Sequence, residues 1–448
     1  MAEQQRIAVV GAGLAGLAAG LHLQDFGARV ELFERSRLLG GRATSFSIDG
    51  REVDNGQHVF LACCTEFIDF VRRIGMERYL HLQPEFDALV LARDGTAGHL
   101  RASAKRPAPF HLLSSFLRYP HLSAGAKVRI ARALATALFA QRKQRDWGNE
   151  SFEGWLDRMG QNEPTRRAFW DPFFIPALNA PFDRVRNADA MFVLATAFLR
   201  DAGAARFGFS TVPLAHFAAA AAERLDAVHR ATPVAGIDVT NGAPVLKLLD
   251  GERTEAFDGV VLAVPPRALA KLLGDPARFG LHGLDDFDAV PIVDVHLWHD
   301  GPSIGVDFAA ALDSPLQWIF EKAPGYLCCS ISAAEEFLRL PTAELEALAW
   351  REVGAFLPQL RDANVTSSAV TRNPEATYLP RSNAQRPGSA TAVPGVAIAG
   401  AWTDTGGWPD TMESAIRSGV AAARTLRYGV LGAQPPIPPA PLLRGATP

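Results

Sequence analysis

The sequence predicts an α/β fold in which a Rossmann-like dinucleotide-binding domain is interleaved with an α+β substrate-binding domain. Three observations carry that prediction. The apolar run Arg6-Ile-Ala-Val-Val10 leads through Gly11-Ala-Gly13-Leu-Ala-Gly16 into a stretch of good helix formers. A second Gly-rich turn joins an apolar run to a helical pattern near the other end, between Val396 and Gly419. At 448 residues the chain is long for one hydrophobic core.

The first strand is expected over Arg6–Val10 and the first helix over about Leu14–Gln24, stopped by Gly27. Val30–Phe33 reads as a second strand, and Glu34 at its end lies 18 residues past Gly16, near the spacing at which a carboxylate meets a ribose hydroxyl. Gly11 permits the tight turn, Gly13 lets the backbone approach a pyrophosphate, and Gly16 lets helix and strand pack closely. The N–H groups of Leu14, Ala15 and Gly16 would face the phosphates at the positive end of the helix dipole. Residues Ile7 to Leu23 do not read as a membrane span or signal core, because the run is short, carries four glycines and follows Glu3. These residues leave open whether the dinucleotide is a flavin or a nicotinamide.

The next segment bears on that choice. Arg35-Ser-Arg-Leu-Leu-Gly-Gly41-Arg42 resembles the arginine and double-glycine motif of the amine oxidase and phytoene desaturase superfamily of flavoproteins. The resemblance implies an FAD site in which this loop, with Arg35, Gly41 and Arg42, wraps the cofactor, and Arg42 is expected at the diphosphate. Further on, Asp54-Asn-Gly56-Gln57-His58-Val-Phe60 resembles one branch, the squalene-associated FAD-dependent desaturases, understood as hydroxysqualene dehydroxylases. In that family the turn lies beside the flavin ring, which makes Gly56, Gln57 and His58 cofactor contacts and Asp54, Gln57 and His58 candidates for the reaction face. Read without the resemblance, Asn55-Gly56 is also an ordinary turn satisfied by Asp54 and His58.

Composition narrows the function classes. With 48% hydrophobic residues, 21% charged and a formal net charge of -3, the chain is globular and not tuned to nucleic acid. The four cysteines fall as two adjacent pairs, Cys63-Cys64 and Cys328-Cys329, which suits neither a disulfide framework nor a CxxC zinc site. They are expected to be reduced core residues of a cytosolic protein. His296 and His299 sit three apart in a strand-like run and so point to opposite faces, so no metal site is expected.

Residues 101–145 hold ten lysines and arginines and no acidic residue. Phe110, Leu113, Phe116 and Leu117 precede a helical run in which Val128, Ala131, Leu134 and Leu138 recur at three- and four-residue steps. This basic amphipathic stretch is expected to touch an anionic membrane peripherally, on the inner face of the cell membrane, since nothing in the chain is long and apolar enough to span one. A solvated helix face is the other use of such charge.

Later elements follow in order. Ser151 is expected to cap a helix, and Trp170–Asn179, dense in aromatics and prolines, resembles the family's wall over the substrate pocket. Helices are expected at Ala195–Arg206 and Leu214–Leu225, then a strand near Thr232–Ile237, where Val234 matches the family's backbone contact to the adenine end of FAD. Phe257–Pro266 resembles the strand that closes the flavin domain, and two prolines end it. Ile292–Trp298 should be a strand and Leu345–Leu357 a helix. Val396–Gly419 resembles the superfamily's second FAD motif, with Trp402 and Met412 as contacts, but the aspartate usual after the glycine is here Ala401, and Asp404 stands nearby. The expected domains are thus 1–85, 207–285 and 390–428 for FAD, 86–206 and 286–389 for substrate, and 429–448 as a disordered Pro-rich tail.

The resemblance implies reductive dehydroxylation of hydroxysqualene to squalene in squalene and hopanoid synthesis, with His58, Asp54 and Glu413 as proton-donor candidates. No second GxGxxG follows a strand, so the electrons should come from a separate donor. Three alternatives share features of the sequence: a carotenoid or phytoene-type desaturase, an amine oxidase, and a non-catalytic lipid-binding partner of squalene synthesis enzymes, which Ala401 would suit.

Overall fold

The structure, a computed structural model, describes residues 4–143, 147–240, 243–381 and 384–432. A parallel sheet holds β1 (Arg6–Val10), β2 (Arg29–Phe33), β3 (Ala227–His229), β4 (Gly259–Leu262) and β5 (Val396–Ile398) in the order β3-β2-β1-β4-β5. This is the strand order of a dinucleotide-binding half. Period-two alternation sets its layers. Ile7, Val9, Val30 and Leu32 face helices α1 (Leu14–Asp25) and α2 (Met412–Gly429). Ala8, Val10, Phe33, Val260 and Leu262 face a hairpin, Val234–Thr240 with Ala243–Leu248, and the helix Pro266–Leu273. The two helices cross so closely that a Cβ on Gly419 would lie 2.2 Å from the Ala15 carbonyl oxygen.

The second sheet has seven strands, ordered Val365–Pro380, Phe287–His299, Tyr326–Ser332, Trp318–Ala323, Phe308–Ala311, Asp87–Leu91 and Ala97–Arg101. One face sets Val293, Val295, Leu297, Leu327 and Ile331 against the helix Thr342–Phe356. The other sets Ala88, Val90, Phe308 and Trp318 into a helical layer centred on Trp155, Trp170 and Phe174. The adjacent thiols divide between the faces: Cys328 packs with the second layer and Cys329 with the first, both free.

Several expectations are corrected here. Residues 195–206 do not form one helix: Ala195–Leu199 finishes the helix Asn187–Leu194 as a wide turn, and Asp201 then accepts from Gly203 N–H in a tight turn. Trp170 is fully buried, its Nε1 donates to Gln161 Oε1 at 3.1 Å, and it packs with Phe152 and Phe174 as core. Helix Ala124–Arg142 buries Ala126, Ile130, Ala133, Ala137 and Ala140, leaving Val128 70% exposed. Leu134 and Leu138 pack against the margin of the same core, so the apolar row of the sequence is divided between core and solvent. The helix α2 runs through Gly429, and of the tail expected from 429, residues 433–448 lie outside the described residues.

Candidate functional site

Two glycines of the first turn answer to a contact and the third to open space. Gly11 has φ +103° and a Cβ there would sit 2.4 Å from Ala263 O. On Gly16 a Cβ would sit 1.9 Å from Gly11 O, whereas on Gly13 it would meet nothing within 4 Å. That open space lies at the start of α1, where Gly13 offers no side-chain cap and the first N–H groups, Ala15 among them, have no intrahelical acceptor. A dinucleotide diphosphate fits such a cradle.

Glu34 closes one side. Its Oε2 accepts from Ala12 N–H and its Oε1 from Ser36 N–H, each at 2.8 Å. Thr232 N–H donates to Glu34 O at 2.8 Å, which brings the strand beginning at Val234 to the same end. A ribose hydroxyl would meet Glu34 there, and the rest of a dinucleotide would then run the other way. The contacts trace that path: a Cβ on Gly41 would lie 3.0 Å from Gly13 Cα, Asn55 Nδ2 donates to Arg42 O at 3.3 Å, and Asn55 N–H donates to Thr44 O at 2.8 Å. The turn at Gly56 and Gln57 then meets the second sheet.

Arg42 is not held open for a phosphate. Its guanidinium makes a bidentate pair with Asp410 at 2.8 and 2.9 Å, donates to Ala376 O at 2.8 Å and stacks near Tyr378. Asp410 also accepts from Tyr378 N–H at 2.8 Å, so Arg42 ties the first loop to the second sheet. Arg35 is exposed.

The second Gly-rich turn supplies the start of α2, capped reciprocally by Thr411 and Ser414 with Met412 as first helical residue. Trp402, expected as a cofactor contact, has its indole in the core: it is 1% exposed, donates to Val264 O at 3.1 Å and packs on Phe287. Asp404 is exposed and accepts from Gly406 N–H within its own turn, so it does not take the place vacated at Ala401. The buried Thr405 hydroxyl, by contrast, has no partner among the described residues.

The three expected proton donors are otherwise engaged. Glu413 has a fully buried side chain that accepts from Phe67 N–H at 2.8 Å, Glu66 N–H at 3.2 Å and Arg417 Nε at 2.7 Å, fastening the helix Thr65–Arg73 to α2. Asp54 accepts from Ser45 Oγ at 2.7 Å, Leu214 N–H at 3.0 Å and Lys322 Nζ at 3.3 Å. His58 Nδ1 lies 2.8 Å from Gly56 O and therefore carries the ring proton, since a carbonyl only accepts. Burial pushes its pKa down, leaving Nε2 as a neutral acceptor.

Sequence reading missed the residues that meet this turn from the second sheet. Asp294 is 1% exposed; its Oδ1 accepts from Gln57 N–H at 3.3 Å, and a Cβ on Gly56 would be 3.0 Å from its Oδ2. His296 Nδ1 lies 2.8 Å from the Tyr326 hydroxyl, and burial pushes His296 down to about 4. The available signal was the alternation Asp294-Val-His296-Leu-Trp298, polar or aromatic on one face of an otherwise apolar strand. His299 faces away, toward Trp350.

A glycine cradle at a helix start, a carboxylate beside it and a buried polar face further along define a dinucleotide-binding protein built on two interleaved α/β units. The model of the family described as flavin containing amine oxidoreductase matches residues 14–427, and the chain belongs to that family. FAD is accordingly its cofactor, and Gly11, Gly13, Ala15, Gly16, Glu34 and Gly41 form the turn and the segments packed on it. The zeta-carotene desaturase of Synechocystis sp. is 25% identical over 476 residues, covering 94% of this chain and 97% of that one. The hydroxysqualene dehydroxylase of Rhodopseudomonas palustris is 29% identical over 434 residues, covering 93% and 96%. Among solved structures, putrescine oxidase bound to putrescine superposes with a TM-score of 0.73 at 17% identity, over 95% of this chain and 99% of that one, a likeness of fold.

Proposed function

We propose that the protein is an FAD-dependent hydroxysqualene dehydroxylase, removing the hydroxyl reductively to give squalene. The observation that carries this reading is the match to the Rhodopseudomonas dehydroxylase, which reaches higher identity over a shorter end-to-end alignment than the desaturase does. An allylic C–O bond breaks more readily once its oxygen is protonated, and reduced FAD supplies hydride to the carbon. The chain must hold the polyprene, deliver a proton and exclude water.

The test is anaerobic. FAD-loaded protein is reduced chemically, hydroxysqualene is added, and flavin absorbance and terpene product are followed together. Reoxidation matched by squalene supports the reading. A flavin that stays reduced, in a protein whose oxidised form desaturates zeta-carotene, overturns it in favour of the second reading, which the Synechocystis likeness supports.

We also infer peripheral contact with an anionic membrane. Of the seven large apolar side chains that stand exposed among the described residues, five (Phe110, Leu113, Leu117, Val128 and Phe139) lie in the basic segment, beside exposed Lys105, Arg106, Arg118, Arg132 and Arg142. No helix among the described residues is long and apolar enough to cross a membrane. Cosedimentation with phosphatidylglycerol vesicles, weakened by salt and by Phe110→Glu with Leu117→Glu, is expected; equal binding by the double variant would remove this surface.

A further inference from the structure

Four buried polar atoms beside the Gly56 turn have no partner among the described residues: Asp294 Oδ2, His296 Nε2, Thr371 Oγ1 and Gln57 Oε1. Asp294 and His296 share one face of the strand Phe287–His299, and Thr371 stands directly opposite Asp294 in the neighbouring strand. Gln57 N–H reaches Asp294 Oδ1. Orphaned polar atoms in the interior are costly, and four in one neighbourhood mark a place built for a polar group from outside the chain.

We infer that Asp294 is the acid that protonates the departing hydroxyl of the substrate, an assignment that rests on the dehydroxylation reading. Its free oxygen Oδ2 faces the turn that ends the dinucleotide path, and the neighbouring groups are less suited. Asp54 is bound by Ser45, Leu214 and Lys322, and His58 has its only proton on Gly56 O. Burial holds the Tyr326 hydroxyl and the Cys328 thiol well above their ordinary values, and His296 is neutral. The charged and titratable groups around Asp294 are Asp54 from the first loop, with His58 across Gly56, and Tyr326, Cys328 and Cys329 from Tyr326–Ser332; Lys322 from the strand Trp318–Ala323 pairs with Asp54, and His296 follows on the same face of its own strand. Burial pushes Asp294 up to about 6, where a carboxyl both keeps and releases a proton readily.

The step balances. The Asp294 O–H bond breaks as its proton joins the substrate oxygen; the C–O bond breaks and water leaves with the bonding pair. Bound reduced FAD would supply the hydride for the new C–H bond, and with it the two electrons the substrate gains. Asp294 is left as a carboxylate, reprotonated before the next turnover.

The decisive experiment compares the wild type with Asp294→Asn and Asp294→Glu, each loaded with FAD to the same absorbance. Asparagine is expected to slow flavin reoxidation by hydroxysqualene by about 10²–10⁴-fold, the usual share of a general acid, and glutamate to restore part of it. The wild-type rate should fall as pH rises through about 6, and the remnant rate of the asparagine variant should lose that limb. Difference infrared titration should show a protonated-carboxyl band that disappears over the same range and is absent from the asparagine variant, whatever the substrate. A wild type that forms squalene alongside an Asp294→Asn variant of equal rate and pH profile overturns the assignment, as does the absence of the infrared band. A wild type that forms no squalene while the band is present overturns the dehydroxylation reading instead.

Discussion

Replacing Asp294 with asparagine should stabilise the protein, and more so the higher the pH. The carboxyl is 1% exposed, and burial lifts it from 3.8 to about 6. Because the folded value lies above the unfolded one, folding favours the proton-bound form. The contribution is fully present below about pH 4 and is lost as pH rises through about 6. A shift of about two units corresponds to about 3 kcal/mol between those limits. Asparagine stays neutral throughout, and its side-chain oxygen can still accept from Gln57 N–H. The variant's stability relative to wild type should therefore grow by about 3 kcal/mol between pH 4 and pH 8. Urea denaturation at fixed FAD concentration, followed by circular dichroism at several pH values, reads this directly. A difference that stays flat across the range would mean that Asp294 is ionised at all these pH values, and the burial argument would fail.

Glu413→Gln should lower stability by about 1–2 kcal/mol through the lost Arg417 pair and weakened capping, with turnover per bound flavin unchanged. A tenfold fall in turnover would return Glu413 to the chemistry. Gly13→Ala should fold normally but bind FAD at least about tenfold more weakly, about 1.4 kcal/mol, whereas Gly16→Ala should be destabilised by about 3 kcal/mol or more through backbone overlap. Equal melting temperatures for the two apoproteins would contradict that distinction. Lys322→Met leaves Asp54 buried without its cation and should cost about 3 kcal/mol; a melting temperature equal to wild type would show that Ser45 and Leu214 suffice.

The dinucleotide turn was legible in the sequence because its demands are local. Gly11 and Gly16 answer to contacts within the turn and the neighbouring strand end, Gly13 leaves the helix start open, and Glu34 bonds back to Ala12. The far end of the site was not legible, because its meaning depends on pairing across the chain. Gln57 meets an aspartate 237 positions away, and Glu413 caps a helix 346 positions away. An isolated carboxylate such as Glu413 reads the same whether it fastens two helices or donates a proton; only its partners decide. Arg42 illustrates the same ambiguity, since a guanidinium suited to a diphosphate is equally suited to Asp410. In the basic helix the charge was legible, but which residues go inward, Ile130 and four alanines, depends on the layer they meet.

The order of strands in the parallel sheet has a consequence for how the protein is made. β1 needs β4 on one flank, with Ile7 opposite Gly259, and β4 needs β5, with Val260 opposite Val396. At about 5–20 residues per second, a ribosome takes roughly 10–50 s to travel from the first of these strands to the second. Throughout that interval β1 has an open edge, a template for wrong pairing. The sheet gains its last strand only after residue 398 has emerged, and α1 its partner α2 only after residue 429. Completion of the sheet beside the first turn is therefore one of the last events of the chain's synthesis, long after the turn itself has emerged.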